Sequence, residues 1–166
     1  MKHFFRIFDH ILNVMAFLAG LILVFIMVSV GLEVIMRYFF NRPLMWVTEV
    51  TECLLLYITF LGSAWLLREE GHVKVDILLN RLKPRAAAFL GIIGSLVGIF
   101  VSIIMTVYGL SVTWDYFKRG IYTPTAMEIP VSAILLIIPL GSFILSVQFL
   151  RRTGRFIVGF FVESSK

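Results

Sequence analysis

Apolar residues run without a charge from Ile11 to Leu32, from Ala86 to Trp114 and from Ile129 to Leu150. A fourth run, Leu44 to Leu67, is interrupted only by Glu49 and Glu52. Each exceeds the roughly 20 residues, at ~1.5 Å rise, that cross a hydrocarbon core about 30 Å thick. In lipid every backbone N–H and C=O must pair inside its own segment, so such runs predict helices. A membrane barrel would need alternating segments of about ten residues, and these runs do not alternate. The expected fold is all-α: an integral membrane four-helix protein, one membrane domain over residues 1–166, with spans near 11–36, 44–67, 86–114 and 129–150.

Composition sharpens this picture. Of the 166 residues 60% are hydrophobic, and a mean hydropathy of +0.97 leaves little chain for a soluble domain. Lys2 and Arg6 ahead of the first run resemble a signal-peptide start, but the run is too long for one and no small-x-small site follows, so it reads as an uncleaved span. Cys53 stands alone, which excludes an internal disulfide. The formal charge of +5 is a topology signal rather than a nucleic-acid patch. Eleven of the fifteen Lys and Arg residues fall before span 1, between spans 2 and 3, or after span 4. The positive-inside rule therefore places both termini in the cytoplasm.

The connections differ in character. Phe39-Phe40-Asn41-Arg42-Pro43 reads as a tight turn. Residues 1–10 read as a short interfacial lead-in, and the basic, apolar tail from Arg151 as a surface-lying segment. Between spans 2 and 3, Val75, Leu78, Leu79 and Leu82 recur at helical spacing beside Lys74, Arg81 and Lys83. That pattern fits a short interfacial amphipathic helix ended by Pro84, with a partly ordered loop as the alternative. Pro139 should kink span 4, with Gly141 easing the bend. Trp46, Trp65, Trp114 and Tyr122 suit the membrane–water boundary.

Few residues offer chemistry. Glu33 and Arg37 are spaced to pair along one helix face. Glu49 and Glu52 share a face of span 2, and a charge well inside the membrane costs about 2.5–3.5 kcal/mol on insertion scales. Those carboxylates therefore face a partner charge, water, or a proton. They serve either an ion site or, as the stronger reading, an assembly interface. Gly94-x-x-x-Gly98, with Gly91, Ser95 and Ser102 nearby, marks span 3 as a close-packing helix. His72 has no metal-spaced companions, and no catalytic triad or nucleotide motif occurs, so neither a metal site nor an enzyme is expected.

Certain strings, in order, resemble a known family: Arg37-Tyr38-Phe39-Phe40-Asn41, then Pro43, Trp46 and Glu49, then Phe60-Leu61-Gly62-Ser63-Ala64. Arg68-Glu69-Glu70-Gly71-His72-Val73-Lys74-Val75-Asp76 and Ile138-Pro139-Leu140-Gly141 complete the set. Together they are similar to the small membrane subunit of tripartite ATP-independent periplasmic (TRAP) transporters, over the full length. One departure is Thr48, where the family often carries a second acid beside the glutamate at Glu49.

The resemblance implies a bacterial inner-membrane subunit of a sodium-coupled importer of organic acids such as dicarboxylates or sialic acid. A large multi-span subunit would carry the solute and Na+ sites, and a periplasmic binding protein would deliver the solute. This chain, holding no cofactor, would brace the former and help dock the latter. Arg37, Asn41, Trp46, Glu49, Glu52 and Gly62 are the partner-interface candidates, Gly91, Gly94 and Gly98 the helix-packing candidates, and Glu70, Gly71, His72 and Asp76 a loop motif. The competing reading is a self-sufficient four-span exporter that exchanges protons through a membrane glutamate.

Overall fold

The computed structural model describes residues 2–69, 84–125 and 127–164. Its helices are α1 (Lys2–Phe40), α2 (Met45–Glu69), α3 (Pro84–Arg119), a short α4 (Val131–Leu135) and α5 (Ile137–Ser164). Four stretches are long and apolar enough to cross a membrane, the last formed by α4 and α5 together. The expected amphipathic helix over residues 75–82 lies outside the described residues.

Two segments expected to lie on the membrane surface instead extend spans. No proline interrupts Lys2–Phe40, so α1 runs 39 residues, about 58 Å at helical rise. This end of α1 packs on the other helices: Phe8 and Leu12 are buried with Ala64 against Trp65, Ile144 and Leu145. Past Leu150, α5 likewise continues to Ser164, with Thr153 buried and Phe156 seated over Gly91 of α3.

The helices form a row in the order α1, α2, α5, α3, so α5 is covered on two sides. Each outer helix is joined through one narrow stripe. On α1 a stripe of less exposed positions runs Phe8, Leu12, Met15, Ala19, Ile22, Ile26, Ser29, Glu33 and Met36, flanked by Asp9 and Ala16. Their alternating spacing of four and three is that of a coiled-coil seam. On α3 the corresponding positions are Gly91, Ile92, Ser95, Gly98, Ile99, Ser102, Thr106, Gly109, Thr113 and Tyr116, most of them small. With lipid on the other side there is no hydrophobic drive between helices, so close contact between backbones substitutes for it.

Hydroxyls in this seam pair within the bundle, as an apolar solvent demands. Ser95, Thr106 and Thr113 donate to the carbonyls of Gly91, Ser102 and Gly109, each at 2.7 Å. Ser146 Oγ of α5 lies 2.9 Å from Ser102 Oγ, linking the two helices.

The helix ends follow from local chemistry. Gly120 (φ 58°) closes α3, and Ile121 N–H reaches back to the Tyr116 carbonyl at 3.5 Å, the six-to-one bond of a glycine cap. Asn41 (φ 51°) ends α1. The break between α4 and α5 falls at Leu136, three residues before Pro139. A proline has no N–H and its ring crowds the carbonyl four residues back, here that of Leu135. Gly141 serves the contact with α2, since a Cβ there would meet Phe60 at 2.6 Å.

Candidate functional site

Two ends and one side of this row hold the polar and open features. At the loop end, α2 begins beneath the 120–130 connection. That loop is closed by an antiparallel bridge between Tyr122 and Pro130, with Thr123 N–H donating to the Ile129 carbonyl at 2.9 Å and Val131 N–H to the Ile121 carbonyl at 3.1 Å. Thr123 Oγ1 accepts from Ile129 N–H at 3.0 Å.

Glu49 lies under this loop. Met127 N–H donates to its Oε2 at 3.2 Å, so the carboxylate holds the loop down on α2. The adjacent Glu128 takes a left-handed φ of 45°, a conformation that side-chain-bearing residues adopt only when their surroundings fix it. Glu49, Glu52, Cys53, Thr123, Thr125 and Ile129 help line a small open cavity of about 280 Å³. Glu52 is exposed at this cavity.

The neighbouring α1–α2 turn presents Tyr38, Phe39, Phe40 and Met45, all exposed. Asn41 is the exposed turn residue, and Trp46 is exposed on the first turn of α2. Arg37 reaches Glu33 at 3.7 Å across one helical turn and lies over the Tyr38 ring at 5.5 Å. Glu33 belongs to the α1 seam and is much the less exposed of the pair.

Between α1 and α2, on the side, runs an open groove of about 770 Å³ that includes Phe17, Gly20, Leu23, Ile58, Gly62 and Leu66. A Cβ placed at Gly20 or Gly62 would meet nothing within 4 Å. The glycines of α3 differ. A Cβ at Gly98 would lie 2.5 Å from the Phe149 ring, and one at Gly91 2.8 Å from Phe156. Gly94 is one residue off the seam and faces outward, with nothing within 4 Å. The close approach therefore uses Gly91 and Gly98, not the Gly94–Gly98 pair.

At the opposite end Arg68, Arg151 and Arg155 lie close together. Arg151 of α5 meets Asp9 of α1 at 2.7 Å and crosses the Phe8 ring at 5.3 Å. Arg68, ending α2, donates to the Asp9 carbonyl at 3.3 Å and to Asn13 Oδ1 at 2.6 Å. This lock on three helices escaped the sequence reading, because its partners are separated by up to 142 positions. Its one visible sign was Asp9, an acid in an otherwise basic and apolar leader. Glu70, Gly71, His72 and Asp76 lie outside the described residues. Among the described residues no three His, Cys, Asp or Glu side chains converge to hold a metal ion.

Comparison with known proteins decides the family. The family model described as tripartite ATP-independent periplasmic transporters, DctQ component, matches residues 26–159. The chain belongs to this family. Among its TRAP relatives, a small permease protein of Haemophilus influenzae is 35% identical over 69 residues, 42% of this chain and 43% of that protein. The ectoine TRAP transporter small permease protein TeaB of Halomonas elongata is 27% identical over 118 residues, 71% of this chain and 61% of that protein. The C4-dicarboxylate TRAP transporter small permease protein DctQ of Rhodobacter capsulatus is 27% identical over 108 residues, 65% of this chain and 47% of that protein. The chain thus spans about half the length of these curated relatives. The family is one of transporter permease subunits, not of enzymes, and the chain is a multi-pass membrane protein by its four apolar helices.

Proposed function

We propose that this chain is the fixed, non-transporting subunit of a sodium-coupled importer of organic acids in a bacterial inner membrane. It braces a large multi-span subunit that carries solute and Na+, and its loop end helps dock a periplasmic binding protein. Both termini lie in the cytoplasm on this reading. That orientation puts the arginine-rich end inside, as the positive-inside rule requires, and leaves the Glu49 ledge and its aromatic rim facing the periplasm.

The observation that carries the reading is the open groove floored by Gly20 and Gly62. Lipid chains have no need of glycine on a helix face, whereas a second protein helix does, because close packing is what holds helices together in lipid. The seams on α1 and α3 are each one stripe wide, so the chain is a rigid row with broad faces left over. Among the relatives, the names for ectoine and for C4-dicarboxylate support an organic acid as solute, since both molecules carry carboxylates.

Reconstitution tests this. Vesicles holding this chain with its large subunit, supplied with binding protein and a sodium gradient, take up solute. Vesicles with either membrane subunit alone do not. Proton-coupled export by this chain alone contradicts the proposal.

A further inference from the structure

The fourth span is broken near its outer end. Pro139 offers no N–H to the Leu135 carbonyl, the helix is interrupted at Leu136, and Leu140 N–H reaches the Leu136 carbonyl only at 3.5 Å. What lies outward of the break is tied to itself. Ala133 N–H donates to the Pro130 carbonyl at 3.0 Å, the Tyr122–Pro130 bridge closes the loop, and Thr125 Oγ1 donates to Thr123 Oγ1 at 2.9 Å. Residues 121–125 and 127–135 thus make one small cap. At the cap's other end Gly120, with a φ of 58°, separates it from α3.

The cap is held to α2 by polar contacts over a void. Its helix α4 packs chiefly on α3. The cavity of about 280 Å³ opens between cap and α2, with Glu49, Glu52 and Cys53 on one wall and Thr123, Ile129 and Ile134 on the other. Among the described residues two hydrogen bonds cross it: Tyr57 Oη donates to the Ala133 carbonyl at 2.7 Å, and Met127 N–H donates to Glu49 Oε2 at 3.2 Å. The Ala133 carbonyl is the one Ile137 N–H takes in an unbroken helix, so the tyrosine bond sits at the break itself. Both bonds are exposed, so water can replace either partner and each holds the cap only modestly. Inward of the break the chain is seated, since a Cβ at Gly109 of α3 would meet Ile138 at 3.2 Å and Pro139 at 3.3 Å.

We propose that the cap is a hinged body, latched onto α2 by Tyr57 and Glu49, that swings off α2 about Leu136 and Gly120 while α5 below the break stays packed. Closed, it covers the cavity that holds Glu49 and Glu52; open, it exposes both carboxylates to the loop side. The inference concerns this chain alone and is independent of the partner assigned above.

Paired nitroxide spin labels test it in the purified full-length chain in phospholipid nanodiscs, with Cys53→Ser removing the native thiol. One pair joins cap to α2 (Tyr122→Cys with Leu55→Cys), and the other joins α2 to α5 below the break (Leu55→Cys with Phe143→Cys), all at exposed positions. Tyr57→Phe and Glu49→Ala each shift the cap–α2 ratio of longer to shorter distance about fivefold toward the longer, and together roughly twentyfold. Pro139→Ala, which restores a donor for the Leu135 carbonyl, shifts it toward the shorter. Thr59→Val, whose hydroxyl bonds within α2 to the Leu55 carbonyl, leaves it unchanged. The α2–α5 distance stays constant throughout. A cap–α2 distance unmoved in the double variant overturns the proposal. So does an equal widening of the α2–α5 pair, which would mean that these bonds hold the bundle and not a cap. A ratio indifferent to Pro139→Ala removes Leu136 as the pivot and overturns it as well.

Discussion

Gly98 on α3 and Gly62 on α2 are both mid-helix glycines in apolar runs, yet their neighbourhoods are opposite. Gly98 is filled from within the chain: the Phe149 ring occupies the place of its missing side chain. Gly62 is open: a Cβ there would meet nothing within 4 Å among the described residues. A glycine in a membrane helix permits close approach, so one of these already has its neighbour and the other awaits one. The α3–α5 face is internal packing, and on the proposed function the α1–α2 face is the assembly surface. Substitution separates the two.

The largest effect is expected at the filled site. Gly98→Leu forces Phe149 and then α5 to move, and overpacking of this kind destabilises by about 1–3 kcal/mol. The purified chain should unfold at lower temperature, and assembly with the large subunit should fall only as a consequence. Next comes Gly62→Leu, whose Cβ meets no described atom within 4 Å and which replaces a weak helix former by a strong one. Thermal unfolding of the chain should be unchanged or slightly raised, while co-purification with the large subunit drops on the order of tenfold, equivalent to about 1.4 kcal/mol. If both variants lower stability alike, the two faces are not distinct.

A smaller effect belongs to Glu49→Ala. It removes the acceptor that holds Met127 N–H, a loss of about 1 kcal/mol, and frees the outer loop from α2. Assembly should weaken more than solute affinity. Unchanged co-purification with an altered solute Kd would place Glu49 in the transport path instead. The smallest is Glu33→Gln. The Arg37 pair is a single helical-turn contact at 3.7 Å, worth about 0.3–0.5 kcal/mol and weakened further by salt. A melting shift that is large and insensitive to salt would show that Glu33 holds α1 to α2 through more than this pair.

Much of the architecture was legible because length and apolarity alone identify a membrane helix. The four spans and the Glu33–Arg37 pairing needed only local spacing. The turn at Asn41 needed only residue type. The helix ends were less legible: Lys2–His10 and the chain past Leu150 looked interfacial because they are basic, yet Phe8 and Phe156 bury against other helices. The seams were hidden for a different reason. In water a packed stripe stands out against polar faces, but here the exposed Val28 and the buried Leu12 are equally apolar, so periodicity carries no contrast. Gly94 shows the same limit. Its spacing to Gly98 matched a packing motif, while the actual seam runs Gly91, Ser95, Gly98. The Asp9–Arg151 lock joins positions 142 apart, and beyond the lone acid at Asp9 nothing in local sequence announces the pair. Glu49 was found because a carboxylate in an apolar run demands a partner, although Met127 N–H was not foreseeable as one.

The central claim is that the α1–α2 groove meets the large transport subunit. Site-directed photo-crosslinking in intact membranes tests it most directly, with Cys53→Ser removing the native thiol and a photoreactive probe attached at Gly62→Cys. A crosslinked product carrying a large multi-span membrane protein is the expected result, with no such product from the same probe at Gly94→Cys. Products containing only lipid at position 62, in cells that make the whole transporter, would contradict it.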